Sequence, residues 1–528
     1  MRTTSTFLSL SLTAAVLLTA CTNNDEDLSV KGIGLSEASL TLKPGDKRTL
    51  TVTFFPDNAA NKEVSWSTSD PDVAAVDGGE VTAIKPGSAV ITATAADGGE
   101  KATCSATVSL NDPMNVTGSV EGTWKKYSVI NVAGHINVPQ GKTLTIEEGV
   151  EVVVGTAGQD ANTTKIEFIV NGNLYCYGTA ESPVTFTVPA AERTAANTFA
   201  RLWGGIIGSE TCGEIILDHA LVEYTGAVTT ATSPSVTAGL FKAGGGEGMV
   251  AFNTNNPGGK YVVINSTFRS TGEDAIYVQG GSCIFANNLF YACGEAGGEA
   301  INVKAGCKVD AAGNLMYSPN TNGFKLSNAG SSVTRSQAQI NAYNNTIINA
   351  GWRRDPNKPK GGSVWAEAGC LVNVYNNLIV NCMFGAKAPK FGVDASDGPD
   401  LSSKIDYNYY ASGTAQSNVS QHVQNGTVTS FDGFKPGVTD VVYGEHDVRG
   451  TAAGSGDPLF VSFPFAANPP LSYTYDSSWD FHLQATSPAL SGGNTSFTPY
   501  FSATGITVNG KEYKSPAPAA HFGAFGGQ

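Results

Sequence analysis

The feature that most restricts this chain is a step repeated along its middle. Asn followed by a short, largely apolar pair occurs at Asn288-Leu-Phe, Asn314-Leu-Met, Asn345-Thr-Ile, Asn377-Leu-Ile and Asn408-Tyr-Tyr. The spacings are 26, 31, 32 and 31 residues, and Ser266-Thr-Phe stands 22 residues before the first. A second motif moves in step with it: GGEGMVAFNT from Gly245, GEDAIYVQGG from Gly272, GGEAINVKAG from Gly297 and TNGFKLSNAG from Thr321. No helical period survives such variable spacing. A solenoid tolerates it, because loops of different length bulge outward while short strands stay stacked. Neighbouring coils then lie about 4.8 Å apart, so equivalent Asn amides can hydrogen-bond up the stack.

Period-two alternation sets the faces of each strand. Ile276 and Val278 are expected to point inward with Tyr277 outward. In the same frame Ile301 and Val303, Phe324 and Leu326, and Val364 point inward. This predicts an outer ladder of Tyr277, Asn302, Lys325 and Trp365, with Gln279, Lys304, Ser327 and Glu367 in a second row. Before the solenoid, residues 29–110 show short alternating runs broken by turn signals, as a β-sandwich would. The fold class expected is all-β: an N-terminal β-sandwich, then a parallel solenoid over 115–450 and a C-terminal cap over 451–528; the resemblances given next imply that the sandwich is Ig-like and the solenoid a right-handed parallel β-helix. About a dozen coils would make a stack on the order of 55 Å long.

Three resemblances sharpen this outline. Leu42-Lys-Pro-Gly45, Val64-Ser-Trp66, Val73-Ala-Ala-Val76 and the Gly87 turn resemble a bacterial Ig-like domain of the Big2 type, with Trp66 as the expected core residue. The resemblance implies a stalk or spacer, with adhesion the less common role in that family. Trp203-Gly-Gly-Ile206 and the run Ile215–Tyr224 resemble the opening coils of β-helices from bacterial surface proteins. Gly456-Asp-Pro-Leu-Phe460, Asp480-Phe-His-Leu-Gln484, Ser487-Pro-Ala-Leu490 and Gly523-Ala-Phe525 resemble the choice-of-anchor Q signature at the C-terminus of such proteins. The family usually has Asp-Xaa-Gly after the third segment, where this chain has Ser491-Gly-Gly. A cap is needed because the last coil would otherwise expose an unpaired edge.

The N-terminus reads as a targeting segment. Arg2 precedes an apolar run from Phe7 to Leu18, and Leu18-Thr-Ala-Cys21 resembles a bacterial lipobox. The resemblance implies a signal peptide over 1–20 and acylation of Cys21, and two or more acyl chains anchor stably. The acidic tether over 21–28, with Asp25-Glu-Asp27, resembles the surface-export signal of Bacteroidetes lipoproteins. That resemblance implies an outer-membrane protein facing the cell exterior, held by its lipid alone, with an outer-membrane import complex as a partner. The formal charge of −14 argues against nucleic acid and anionic membrane surfaces. Cys176, Cys283, Cys293 and Cys307 sit in apolar strand-like runs, where free Cys behaves as a small buried hydrophobe.

Two regions carry candidate chemistry. The residue entering each outer strand is Glu247, then Asp274, Glu299 and Asn322. Carboxylates stacked one coil apart repel by on the order of 3 kcal/mol at an effective dielectric near 20. A bound cation, a neighbouring Lys or a shifted pKa has to relieve this. Three readings stand. The carboxylates cap the turns. Or Glu247, Asp274 and Glu299 hold Ca2+, the one cofactor the pattern suggests. Or they act as catalytic groups beside Lys325, in a polysaccharide lyase or a glycosidase. The second region is the loop GWRRDPNKPKGG at 351–362, the densest basic segment. There Trp352 could stack on a sugar, and Arg353 and Arg354 could grip carboxylates or sulfates, bordered by Lys387 and Lys390. Tyr277 and Trp365 complete the expected ligand-binding set. No polygalacturonase-type Asp cluster, pectate-lyase-like Arg motif or nucleophile elbow is present. The sequence therefore favours accessory, non-catalytic engagement of extracellular polysaccharide or another glycan. A glycan-cleaving enzyme is the first alternative, and an adhesin or stalk the second.

Overall fold

The computed structural model describes residues 28–244, 248–295, 297–354, 361–413, 422–424, 427–429, 440–450, 454–469 and 471–527. Cys21, Glu247 and residues 355–360 of the basic loop lie outside the described residues. Two compact units divide at Ser109 and Leu110.

In the first unit, strands Ser39–Leu42, Lys101–Val108, Gly87–Ala95 and Val64–Thr68 form one sheet in that order. Lys47–Thr49, Glu80–Ala83 and Ala74–Asp77 form another. The alternation seen in sequence is the cause: Leu40 and Leu42 are buried while Ser39 and Thr41 are exposed. They enclose Leu50, Val73, Val81 and Ile91. Trp66 is half-buried and packs against this cluster instead of filling its centre.

The second unit is a parallel solenoid with three strand ladders. One is a separate ten-stranded sheet that includes Lys260–Ile264, Gly281–Ala286, Cys307–Ala312 and Gln339–Tyr343. The other two are interleaved within a nineteen-stranded sheet. One of these runs through Phe252–Thr254, Ile276–Val278, Ile301–Val303, Asn322–Ser327 and Gly362–Glu367, and is called the front ladder below. The other runs through Thr267–Thr271, Leu289–Cys293, Leu315–Tyr317 and Thr346–Ile348. Among the described residues the only α-helix is the single turn Pro234–Thr237. Ile276, Val278, Ile301, Val303, Phe324, Leu326 and Val364 are all fully buried, so the inward register is the one that the alternation implies.

One corner of every central coil is held by the Asn stack. The Nδ2 of Asn288 donates to Oδ1 of Asn314 at 2.9 Å, Asn314 to Asn345 at 2.8 Å, Asn345 to Asn377 at 2.9 Å and Asn377 to Asn408 at 2.9 Å. Each Oδ1 also accepts the backbone N–H of the previous step, beginning with Ser266 on Asn288 at 3.0 Å. The residue before each ladder Asn takes left-handed backbone: Asn287, Gly313, Asn344, Asn376 and Tyr407 have φ of 56°, 68°, 48°, 58° and 54°. Asn is the non-Gly residue best suited to that conformation, which explains the Asn-Asn pairs. The eight described cysteines are all free and buried.

The C-terminal segment was expected to close an end; its contacts run back along two flanks of the stack. Phe460, Phe465, Phe481, Leu483 and Phe522 cover Leu315, Tyr317, Ile348, Leu378 and Val380 on one flank. Phe501, Ile506, Val508 and Tyr513 cover Tyr175, Ile216, Val262 and Ile284 on the ten-stranded sheet. Asp310, 1 % exposed, is the clasp of this strap. It accepts the N–H groups of Phe501 (2.8 Å) and Tyr500 (3.2 Å), the Ser515 hydroxyl (2.6 Å) and the Asn341 amide (2.7 Å). Asp310→Ala leaves these donors without an acceptor, at about 1–3 kcal/mol for each one that stays buried. The expected result is early proteolytic cleavage between residues 497 and 515 while the coils remain resistant. Equal resistance of mutant and parent would refute the clasp.

Candidate functional site

Among the described residues the apolar clusters of the C-terminal strap pack on two flanks, and on the front ladder Tyr277, Lys325 and Trp365 stay partly exposed. The ladder's outward residues pair in register as Asn253, Tyr277, Asn302, Lys325 and Trp365, with Lys387 bridged to Trp365 beyond them. The ladder anticipated from alternation is therefore present and is longer than expected at both ends. Below it, Ile207 is covered by Leu240 and Phe241 from the 229–244 insertion.

Asp274 and Glu299 converge at the edge of this ladder. Their carboxyl groups are hydrogen-bonded to each other. Asp274 Oδ1 also accepts the N–H groups of Glu299 at 2.9 Å and Gly298 at 3.1 Å, and its Oδ2 accepts the Asn302 amide at 2.8 Å. Asn302 is a ladder residue, so the pair sits on the outer side of the coil. Two carboxylates in contact would repel by on the order of 5 kcal/mol at an effective dielectric of 20, so the pair keeps one proton. Burial and the adjacent Glu299 charge push Asp274 well above the usual carboxylate range. Burial also acts to raise Glu299, but the hydrogen bond from Asp274 and the Lys325 charge outweigh it and hold Glu299 below its ordinary value. Asp274 is the acid of the pair and Glu299 the carboxylate. The repulsion foreseen for stacked carboxylates is thus relieved by a shared proton and a lysine.

Around the pair lies a group of buried polar atoms with no partner among the described residues. They are the Oδ1 atoms of Asn302, Asn320 and Asn322 and the Ser363 hydroxyl, while the Thr321 hydroxyl bonds to Glu299. All five side chains are at most 5 % exposed. Buried polar groups are nearly always satisfied, so several orphans on three successive coils mark a place where hydroxyl groups or water belong. Lys325 bridges outward to Glu367 at 3.5 Å, and Glu367 accepts the Trp365 ring N–H at 2.8 Å. The Lys304 ammonium lies 5.7 Å over the Tyr277 ring. Among the described residues no three His, Cys, Asp or Glu side chains are grouped to hold a metal ion. The third carboxylate of the calcium reading, Glu247, is outside that set.

The basic loop requires a correction. Trp352 is 3 % exposed, packs on Met383 and Phe384, and donates its ring N–H to the Asn381 carbonyl at 2.7 Å. It cannot stack on a ligand. Arg353 donates to the carbonyls of Gly294 (2.9 Å), Cys293 (2.8 Å) and Ser318 (2.8 Å), and lies over the rings of Phe199 and Tyr473. Its burial lowers its pKa to about 10. The guanidinium ties two coil corners together and commits four of its five N–H donors to the protein. Arg354 is half-buried. Lys390 is exposed and paired with Asp394 at 3.1 Å. Lys387, by contrast, is fully buried with no hydrogen-bond partner among the described residues, its ammonium 4.7 Å over the Trp365 ring.

Comparison with known proteins agrees with this architecture. Residues 29–108 match the bacterial Ig-like domain (group 2), and residues 229–421 match the right-handed beta helix region. The chain is a bacterial Ig-like module followed by a right-handed β-helix. It is 32 % identical over 180 residues to an alpha-L-arabinofuranosidase of Bifidobacterium longum subsp. longum, covering 31 % of this chain and 17 % of that protein. It is 38 % identical over 92 residues to a lacto-N-biosidase of Bifidobacterium bifidum, covering 17 % of this chain and 8 % of that protein. An Ig-like virion protein of Serratia phage KSP90 is 39 % identical over 84 residues, covering 16 % of this chain and 33 % of its own. The chain thus spans a third or less of the length of each of these relatives.

Sequence reading named Asp274, Glu299, Lys325, Tyr277 and Trp365, and the fold brings all five to one flank. It missed Asn320, Thr321 and Ser363 as site residues. Register would have reached them: Asn322 pairs with Gly362, which sets Thr321 and Ser363 on adjoining turns.

Proposed function

We propose that this chain hydrolyses glycan on its front ladder: Asp274 donates a proton to the departing glycosidic oxygen, water adds to the anomeric carbon, and the proton that water releases returns to the carboxyl pair. The single observation carrying the reading is the contact between the Asp274 and Glu299 carboxyls at the edge of the front ladder, with Asn302 and Lys325 beside them. A carboxylic acid kept protonated beside an ionised carboxylate is the chemical requirement for glycoside hydrolysis. The surroundings suit a sugar: orphan acceptors and the Ser363 hydroxyl take up hydroxyl groups, and Tyr277 and Trp365 border the site with aromatic rings. The carboxyls touch, closer than the spacing of about 5–5.5 Å in retaining enzymes. Substrate entry has to part them, and Glu299 is the less buried partner. The glycosidase names of two relatives are consistent with this chemistry, although the shared stretches are short. Lipid attachment at Cys21 would hold the site at the outer face of an outer membrane, where polymeric substrates arrive first.

Incubating the full chain with a panel of neutral and acidic polysaccharides tests the reading. New reducing ends are expected from at least one polymer. Unsaturated ends would replace hydrolysis with elimination. Retention without new ends would leave a binding face only.

A further inference from the structure

The front ladder has a second edge, opposite the carboxyl pair, and a pocket of about 160 Å³ opens there. Its polar lining is Lys304, Arg335, Gln279, Asn255 and Glu210. Arg335 comes from the loop between strands Asn322–Ser327 and Gln339–Tyr343, and it is held by the Gln279 carbonyl and by Glu210 at 3.2 Å. Glu210 is 72 % exposed, so it only weakly offsets the guanidinium. Gln279 and Asn255 are locked to each other, the Gln279 amide donating to Asn255 Oδ1 at 3.0 Å. Lys304 differs from its neighbours. It is half-buried, yet among the described residues no carboxylate or carbonyl lies within bonding reach; its ammonium meets only the Tyr277 ring. Burial, then the neighbouring Lys325 charge, lower its pKa, against Glu367, Asp274 and Glu299, which act to raise it. Lys325 has Glu367 and Glu299 for company; Lys304 has no such partner. In a chain of net charge −14, a pocket with two cations and one solvent-facing carboxylate is an inversion of the prevailing sign.

We infer that this pocket holds an anionic substituent of the glycan, a carboxylate or a sulfate, between Lys304 and Arg335 while the sugar backbone crosses the front ladder. The inference rests on the glycan reading above and adds the substrate class. Each coil contributes only a short outward strand to this face, so one chain of sugars reaches both edges. An anion beside Lys304 would supply the missing partner and allow Lys304 and Lys325 to stand side by side. Arg335 adds fixed N–H donors suited to carboxylate and sulfate oxygens.

The test compares two polymer pairs on the full chain: polygalacturonate against its methyl ester, and a sulfated galactan against its desulfated form. Retention by the immobilised protein is measured at low and raised salt. The acidic member of at least one pair is expected to bind about tenfold more tightly, and which pair responds names the anion. Lys304→Met should remove that preference and Lys304→Arg should restore it. Asp274→Asn should leave it intact. Equal binding within both pairs, no retention of any of the four polymers, or an acid preference unchanged in Lys304→Met would each overturn the inference. Turnover confined to neutral polymers would overturn the pocket and leave the hydrolytic reading standing. Retention of an acidic polymer that is never cleaved would do the reverse.

Discussion

Asp274→Asn is expected to lower turnover of the responsive polysaccharide by about a hundred- to ten-thousandfold, with little change in retention. The amide still accepts from the N–H groups of Gly298 and Glu299 through its oxygen, so the local backbone survives. Its NH2 can donate to Glu299, and Asn302 can turn its orphan Oδ1 toward it. What is lost is the transferable proton. The pH profile is the sharper readout. Glu299 lies below its ordinary value and Asp274 well above, so activity in the parent should rise as Glu299 ionises and fall as Asp274 loses the shared proton. Glu299→Gln should remove the acid limb. Stability gives an independent check of sign. A raised folded pKa contributes stability that is full below the unfolded value and is lost as pH rises through the folded value. Asp274→Asn should therefore gain stability relative to the parent toward alkaline pH, measured by melting temperature. A parent profile flat across both limbs would end the acid–base assignment.

Asn345→Ala should be among the most destabilising single changes in the chain, costing on the order of 3–5 kcal/mol. Asn345 stands mid-stack and is fully buried. Its Oδ1 accepts both the Nδ2 and the N–H of Asn314, and its Nδ2 reaches Asn377, Ala311 and Tyr343. Alanine strands several buried donors and acceptors at once and opens a void. The same change at Ser266, where the stack ends in a small side chain, should cost less. Because coils contact mainly their neighbours, the loss should appear first as local opening. Hydrogen exchange at 314–317 and 345–348 is the measurement. Unchanged protection there would show that strand packing alone holds the stack.

How far these sites were readable depends on the kind of contact. The carboxyl pair was legible because register is arithmetic: 25 residues separate Asp274 from Glu299, one coil in a frame whose inward positions are unambiguous. The fate of Trp352 and Arg353 was not legible. A Trp next to two Arg in a Gly-bounded loop has the composition of a ligand grip. Only the corner carbonyls of Cys293, Gly294 and Ser318, brought together by the coils, turn Arg353 inward. Arg335 escaped notice for a related reason, since a long loop between strands carries no register.

The order of residues alone settled the coil, the inward and outward faces and the Asn stack. Strand alternation and a one-coil repeat are local rules, and each repeat restates them. Tertiary structure alone decided which flanks the C-terminal strap covers. Phe460, Phe481, Phe501 and Asp310 commit the C-terminal strap to two flanks through contacts between residues roughly 100 to 330 positions apart. No local pattern encodes where such a segment lands, because its choice depends on apolar surfaces that exist only after the coils have stacked.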